Sequence, residues 1–240
     1  MNLLKQYKRH LLYIIKKKIN IDLDKKSSSD SLTNLFNYYG TDKVGHGYTQ
    51  FYEKHFKPIK KKNLNILEIG SYSGASAASF VKYFPNSKIY CADINISNFK
   101  FLSKRIQVYG LDISNKKMIN NFFKKINITY GQKYFDIIID DASHKLSDML
   151  FSLNIFLKNL KKDGYYIIED YKFPNFFERL NDPSELKIDQ LINTINTKGE
   201  IKSNILDDNT KNTFKNNEIV ISSYQGTSKG AAIVFFKKLN

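Results

Sequence analysis

The clearest pattern of apolar and polar positions lies in residues 63–95, NLNILEIGSYSGASAASFVKYFPNSKIYCADIN. A short apolar run rich in β-branched residues, 64–69, predicts a buried parallel strand. Small and apolar residues over 75–84 predict a helix, and residues 88–92 predict a second strand that ends before Asp93. These elements predict a βαβ unit whose glycine loop admits a nucleotide-like ligand and whose acidic residue can bind a ribose.

Beyond Asp93, strand-like and helix-like segments alternate, which predicts a right-handed, doubly wound sheet. Further strands are predicted at residues 106–110, 134–139, 165–168, 218–223 and 231–236. Further helices are predicted at residues 115–126, 145–160 and 184–196. The last two strands are expected to form an antiparallel hairpin at the edge of the sheet.

The segment before the first strand is predicted to be helical. Residues 1–20 place lysines and Arg9 on one helical face and apolar side chains on the other, namely Leu3, Leu4, Tyr7, Leu11, Ile14 and Ile15. Such a helix can bind weakly to an acidic membrane surface, or it can pack on its own domain or on another subunit of a homo-oligomer. Short helices are predicted at 31–39 and 49–56, so we divide the chain into a helical extension and lid, 1–62, and a core, 63–240.

The glycine pattern of the loop disfavours NAD, because G-x-G-x-x-G requires a glycine where Tyr72 stands. Glu68, Gly70 and Gly74, followed by Asp93, instead resemble motif I and the downstream acidic residue of class I S-adenosylmethionine-dependent methyltransferases. The resemblance implies a Rossmann-like, doubly wound α/β fold with seven strands, the last antiparallel. It also implies S-adenosylmethionine as cofactor, bound by Glu68, Gly70, Ser71, Gly74, Asp93 and Asp112. Asp112 can equally cap the helix that follows it.

Acidic side chains follow two of the predicted strands. The sequence FDIIIDDASH leaves Asp140, Asp141 and His144 at one strand end, and GYYIIEDY leaves Glu169 and Asp170 at another. Ligands of open α/β sheets bind at the carboxyl ends of strands, and crowded carboxylates favour a hard cation such as Mg²⁺. A structural interpretation is also open, in which Asp141 or Ser143 caps the next helix and the Glu-Asp pair is solvated.

The D-D-x-S-H and I-E-D sequences resemble paired motifs of metal-dependent macrolide-sugar and sugar O-methyltransferases. The resemblance covers about residues 41–171 and implies Mg²⁺ or Mn²⁺ held by Asp141, Glu169 and Asp170, with His144 as general base. Ala142 departs from the family pattern, which often has glycine there. The earlier sequence TDKVGHGY is similar to a segment that precedes the core in that family, which assigns three lid or substrate residues, Lys43, His46 and Tyr48.

Composition narrows the functional class. The 240 residues, 42% of them hydrophobic, can form one α/β domain with an extension, and no apolar run is long enough to span a bilayer. We therefore expect a cytoplasmic protein, with its single cysteine, Cys91, buried in a strand. The net charge of +15 can attract nucleic acid, but lysine is over-used along the whole chain, so we do not expect a nucleic-acid partner.

The sequence thus predicts a Mg²⁺-dependent O-methyltransferase that acts on a sugar hydroxyl, on a nucleotide-linked sugar or on a surface or capsular polysaccharide precursor. The position after the fourth strand reads DDAS rather than [DN]-P-P-[FY], which argues against methylation of a nucleobase amino group. The alternatives are an RNA or catechol-like methyltransferase and a Rossmann-like binding protein without catalytic activity.

Overall fold

The computed structural model describes residues 3–239 and divides into two compact units, Met1–Phe122 and Phe123–Asn240. The helices are α1 (Leu3–Ile15), α2 (Leu32–Tyr39), α3 (Thr49–Phe56), α4 (Ala75–Tyr83), α5 (Lys116–Lys125), α6 (Leu146–Phe156), α7 (Phe173–Phe176), α8 (Ile188–Asn196) and α9 (Asp208–Lys215). The strands are β1 (Ile19–Asn20), β2 (Asn65–Ile69), β3 (Lys88–Asp93), β4 (Phe101–Leu102), β5 (Ile106–Gly110), β6 (Phe135–Asp140), β7 (Leu160–Ile168), β8 (Ile219–Gln225) and β9 (Ala232–Lys238).

In the first unit, three parallel strands follow the order β5-β3-β2. The apolar runs of β2 and β3 are buried, as expected for parallel strands, whereas the residues of β5 are partly exposed. An aromatic cluster of Phe36, Tyr52, Phe56 and Phe80 joins α2, α3 and α4, with ring centroids 5.0 to 6.1 Å apart. Edge-to-face aromatic packing of this kind stabilises the unit beyond its buried area.

In the second unit, β7 pairs in parallel with β6 and antiparallel with β9, which also pairs antiparallel with β8. Apart from β1 and β4, the strands thus follow the order β5-β3-β2 in the first unit and β6-β7-β9-β8 in the second, seven strands in all within residues 3–239. The predicted doubly wound seven-stranded fold and its antiparallel final strand are confirmed.

Several predicted boundaries were wrong, each for a local reason. Helix α6 ends at Phe156 because the chain turns through a short 3₁₀ helix, Leu157–Asn159, and β7 already starts at Leu160. Helix α8 starts at Ile188, four residues after its predicted start. Lys187 is its N-cap, because the Gln190 side chain accepts a hydrogen bond from the backbone N–H of Lys187 at 2.8 Å.

Within residues 3–239, the elements β1, β4, α7 and α9 were not predicted. Residues 19–20 form a strand rather than the end of a helix, because they pair with β4. Helix α9 has few apolar residues and is defined by its start, where Asp207 accepts from the N–H of Thr210 at 2.9 Å.

The N-terminal helix is present as α1, while Met1 and Asn2 lie outside the described residues. Cys91 is buried in β3, as predicted. Within residues 3–239, no helix combines the length and apolar character needed to cross a membrane.

Candidate active site

The loop between β2 and α4 depends on two glycines with left-handed backbone, Gly70 at φ 91° and Gly74 at φ 81°. The N–H of Gly70 donates to Ala92 O at 2.7 Å, which ties the loop to β3. A Cβ added at Gly74 would lie 2.5 Å from the Phe99 ring. A side chain at position 74 would therefore be strained in the backbone and would also clash.

Hydrogen bonds of Glu68 and Ser71 stabilise the start of this loop. The Glu68 side chain is fully buried, and the Ser76 hydroxyl donates a hydrogen bond to its carboxylate. The Ser71 hydroxyl donates to Glu68 O at 3.0 Å. The predicted cofactor residues of this stretch are therefore joined to one another across the end of β2 and the first turn of α4.

Asp93 lies at the end of β3, and both of its carboxylate oxygens accept backbone hydrogen bonds. The N–H of Tyr72 donates to Oδ2 at 2.8 Å, and the N–H of Asn95 donates to Oδ1 at 2.6 Å. A carboxylate oxygen can accept more than one hydrogen bond, so Asp93 orients the loop and keeps acceptor capacity. Tyr72 takes the left-handed conformation, φ 41°, and its side chain is exposed.

Asp112 is not the cap of α5. Its Oδ1 accepts from the Ser114 hydroxyl at 2.7 Å and from the Ser114 N–H at 3.2 Å. The cap is Asn115, whose Oδ1 accepts from the N–H of Met118 at 3.2 Å. The predicted role of Asp112 in binding the cofactor stays a prediction.

The predicted lid residues lie in a turn that leads into α3. Lys43 and Tyr48 are buried, and His46 is partly exposed with its ring 5.4 Å from the Tyr48 ring. The turn is closed by the N–H of Tyr48, which donates to Lys43 O at 2.9 Å. The role of these residues in covering a substrate stays a prediction.

The acidic strand ends of the second unit bring Asp141, His144 and Asp170 together. One ligand atom from each lies within 4.8 Å of the others, and His144 Nε2 is 3.8 Å from Asp141 Oδ1. His144 and Asp170 both have left-handed backbone, with φ 55° and 53°. Non-glycine residues rarely adopt this conformation, and those that do are concentrated at functional sites.

Glu169 was predicted to be a third acidic ligand, and it lies at the end of β7 beside Asp170. Its side chain is 1% exposed, and its N–H donates to Asp140 O at 3.0 Å. The three-residue cluster contains His144 instead of Glu169, so the metal role of Glu169 stays a prediction.

The structure differs from the alternative in which Asp141 or Ser143 caps α6 and the Glu169–Asp170 pair is solvated. The N-cap of α6 is Lys145, and no side chain caps this helix. The Ser143 hydroxyl accepts from the N–H of Lys145 at 3.2 Å and donates to Asp148 Oδ2 at 2.6 Å. The Glu169 and Asp170 side chains are buried rather than solvated.

Comparison with known proteins agrees with the motifs. A family model described as "Methyltransferase domain" matches residues 60–227. The chain belongs to this methyltransferase family.

L-olivosyl-oleandolide 3-O-methyltransferase of Streptomyces antibioticus is 31% identical over 156 residues, 61% of this chain and 38% of that enzyme. Mycinamicin VI 2''-O-methyltransferase of Micromonospora griseorubida is 28% identical over 153 residues, 60% of this chain and 37% of that enzyme. This methyltransferase chain thus matches less than two fifths of the length of either relative.

Solved structures support the fold of this methyltransferase. The MycE methyltransferase of the mycinamycin pathway, solved in complex with Mg and SAH, has a TM-score of 0.62 at 22% identity, covering 88% of this chain and 55% of that chain. The plantazolicin methyltransferase BpumL, solved with SAH and a desmethyl substrate analogue, has a TM-score of 0.54 at 12% identity, covering 98% of both chains.

A buried polar network lies beneath Asp141 in this methyltransferase and was not predicted from the sequence. The Tyr166 hydroxyl lies 2.6 Å from the Ser152 hydroxyl and donates to Asp140 Oδ2 at 3.3 Å. Burial raises the pKa of Asp140 to about 7, against the opposing effect of these hydrogen bonds. The network fixes the end of β6, from which the Asp141 side chain projects.

Phe173 was also not predicted. Its ring packs edge-to-face against the His144 ring, with centroids 5.2 Å apart. Gly230 also lies against the Phe173 ring, since an added Cβ there would be 2.6 Å from it. The aromatic-rich sequence FPNFF after the I-E-D motif is a signal that could have identified it.

The left-handed backbone at His144 predicts an unusual order of stability between two variants. His144→Gly and His144→Ala both remove the imidazole, but only alanine keeps a strained backbone, which costs about 1 to 2 kcal/mol. Glycine loses about 0.5 to 1 kcal/mol through the entropy of the unfolded chain. We therefore expect His144→Gly to be the more stable variant, by up to about 1 kcal/mol, in urea unfolding.

Asn120 provides the control, because it is exposed in the interior of α5, where the backbone is right-handed. There the alanine variant is expected to be the more stable one, by about 1 kcal/mol. The same order at both positions would contradict the left-handed conformation of His144.

Proposed function

We propose that this protein transfers a methyl group from S-adenosylmethionine to a sugar hydroxyl with the help of a divalent cation. The observation that carries the proposal is the cluster of Asp141, His144 and Asp170 in a chain of the methyltransferase family. A cofactor loop alone would suit many methyltransferases. The added carboxylates and imidazole favour the metal-dependent class.

The first unit supplies the groups that suit S-adenosylmethionine. Gly70 and Gly74 leave two positions of the loop without side chains, and no side chain caps the N-terminus of α4, so its first N–H groups are available to a carboxylate. The Asp93 carboxylate can accept from both ribose hydroxyls. Glu68, Ser71 and Asp112 complete the proposed set.

The second unit supplies the groups that suit Mg²⁺ or Mn²⁺. Two carboxylates and an imidazole lie within 4.8 Å, with no thiolate, and oxygen-rich sets of this kind are typical for hard cations. We assign the ligands as Asp141, Glu169 and Asp170, so that His144 is left to act as a base. The bound ion would supply Lewis acidity, which makes a hydroxyl proton easier to remove.

His144 accepts the hydroxyl proton in this proposal, while the hydroxyl oxygen takes the methyl group and S-adenosylhomocysteine is released. The Phe173 ring and the left-handed backbone fix the direction of the imidazole. Asp141, 3.8 Å from Nε2, stabilises the positive charge that develops on the ring. Lys43, His46 and Tyr48 are proposed to contribute to the acceptor side.

The sugar acceptor is supported by the relatives, whose names specify hydroxyl positions of sugars on macrolide and tetracenomycin compounds. For this chain we propose the sugar class alone, with a nucleotide-linked sugar, a polysaccharide precursor and a polyketide glycoside as the acceptors to compare. Methyl transfer to RNA or a catechol, but to none of these sugars, would replace the proposal with its alternatives. Binding of S-adenosylmethionine without transfer to any acceptor would indicate a non-catalytic protein.

The cofactor assignment predicts that Asp93→Ala weakens S-adenosylmethionine binding by about 2 to 4 kcal/mol in calorimetry, since ribose hydroxyls and the Tyr72 N–H lose their acceptor. Asp22→Ala is the matched control. Asp22 also accepts a backbone N–H, from Lys104 at 2.9 Å, but lies outside the proposed site. Equal affinities of the two variants would remove Asp93 from the cofactor site.

The metal assignment predicts that Asp141→Asn weakens Mn²⁺ binding, followed by electron paramagnetic resonance, by about 100-fold or more. EDTA should abolish turnover of the wild type, and added Mg²⁺ should restore it. Asp136→Asn, which removes a β6 carboxylate paired with Lys161, should bind Mn²⁺ normally. Full turnover in EDTA would disprove a metal role.

The base assignment predicts that His144→Ala loses about 10²- to 10⁴-fold in kcat with little change in affinity for S-adenosylmethionine. His10→Ala, which changes an exposed ring of α1, is the control. A near-normal kcat in His144→Ala would shift the search for the base to His46 and Tyr48.

A further inference from the structure

Helix α1 presents a continuous apolar face to solvent. Its side chains are Leu4, Tyr7, Leu11, Ile14 and Ile15, which are 42% to 76% exposed. Their spacing of three and four residues places them on one side of the helix. Large apolar side chains grouped in this way usually mark a surface that binds something.

The opposite side of α1 contacts the first unit, largely through polar side chains. Gln6 Nε2 donates to Gly110 O at 3.5 Å, and Arg9 donates to Ile94 O at 2.6 Å. Lys16 Nζ donates to Ser97 O at 2.8 Å, and the Tyr13 ring packs edge-on against Phe99. These contacts fix the rotation of the helix, so its apolar face is held outwards rather than packed on its own unit.

The charge of the same segment is entirely positive. Residues 1–20 contain six basic and no acidic residues, and Lys5, Lys8 and Lys17 are exposed. Ile19, directly after the helix, adds another exposed apolar side chain. An apolar face flanked by lysines is the combination with which interfacial helices bind anionic lipid.

We propose that the outward face of α1 binds the surface of a bilayer that contains anionic lipids, with the helix in the membrane plane. The apolar side chains enter the region of the headgroups and upper acyl chains, and the lysines contact lipid phosphates. A second copy of the chain is the less suitable occupant, because a two-fold interface would bring two sets of positive charges together. The proposal is independent of the methyl-transfer reaction.

Vesicle sedimentation with the full chain tests the proposal. We expect binding to vesicles of equal parts phosphatidylcholine and phosphatidylglycerol, little binding to phosphatidylcholine alone, and weaker binding at high salt. Equal binding to both vesicle types, or binding to neither, would overturn it. Loss of a dimer in the apolar variant below, without vesicle binding by the wild type, would identify a second copy as the occupant.

Paired variants separate the apolar contribution to vesicle binding from the electrostatic contribution. Leu11→Ser/Ile15→Ser should lower vesicle binding by about tenfold or more, whereas Tyr130→Ser/Val220→Ser, which changes exposed apolar residues of the second unit, should not. Lys5→Gln/Lys8→Gln should also lower binding by about tenfold or more. Lys162→Gln/Lys215→Gln, with the same change in net charge at exposed positions elsewhere, should not. Equal losses in an α1 pair and its control would overturn the proposal.

A fluorescence measurement tests the proposal without relying on variants that could unfold the helix. The chain has no tryptophan, so Tyr7→Trp introduces a single reporter on the apolar face. Its emission should shift to shorter wavelength on adding anionic vesicles, while Tyr130→Trp should not shift. An unshifted Tyr7→Trp in protein that co-sediments with vesicles would show that another surface binds lipid.

Discussion

The close approach of Asp141, His144 and Asp170 is the constraint on which the candidate chemistry depends. Two of the three residues reach it only by adopting left-handed backbone. Each such residue costs about 1 to 3 kcal/mol, which the surrounding structure must offset. The second unit does so with the Ser152–Tyr166–Asp140 network at the end of β6 and with the Phe173 ring packed against His144.

The same constraint explains why two strand ends must be held in register. β6 and β7 pair so that Asp140 lies opposite Ile168, and the next N–H, of Glu169, donates to Asp140 O. One more or one fewer residue in either strand would turn its terminal carboxylates to the other face of the sheet. The glycine loop of the first unit follows a similar principle, because the N–H of Gly70 donates to Ala92 O of β3 and the N–H of Tyr72 donates to the Asp93 carboxylate at the end of that strand.

The sequence predicted the elements that depend on local pattern. The buried strands, the glycine loop and the acidic strand ends are visible because apolar runs and turn residues are local signals. The strain at His144 and Asp170 is not visible, since histidine and aspartate usually adopt other conformations. Helix α9 escaped prediction because its only large apolar residue is Phe214, so no apolar periodicity marks it. The Phe173 contact depends on Gly230, far away in sequence.

Helix α1 shows the limit of periodicity most clearly. Its pattern predicted an apolar face correctly, but a pattern cannot tell whether that face points inwards or outwards. The direction is decided by hydrogen bonds from Arg9 and Lys16 to the carbonyls of Ile94 and Ser97, which only the folded first unit provides. These donors use the polar side of the helix for docking, so the apolar side is left to water or to a partner.

Residues 1–21 also hold none of the 23 acidic residues of the chain, whereas a uniform spread would place about two there. A general lysine bias adds positive charge everywhere, but it does not by itself remove acidic residues from the one segment whose apolar side chains face outwards.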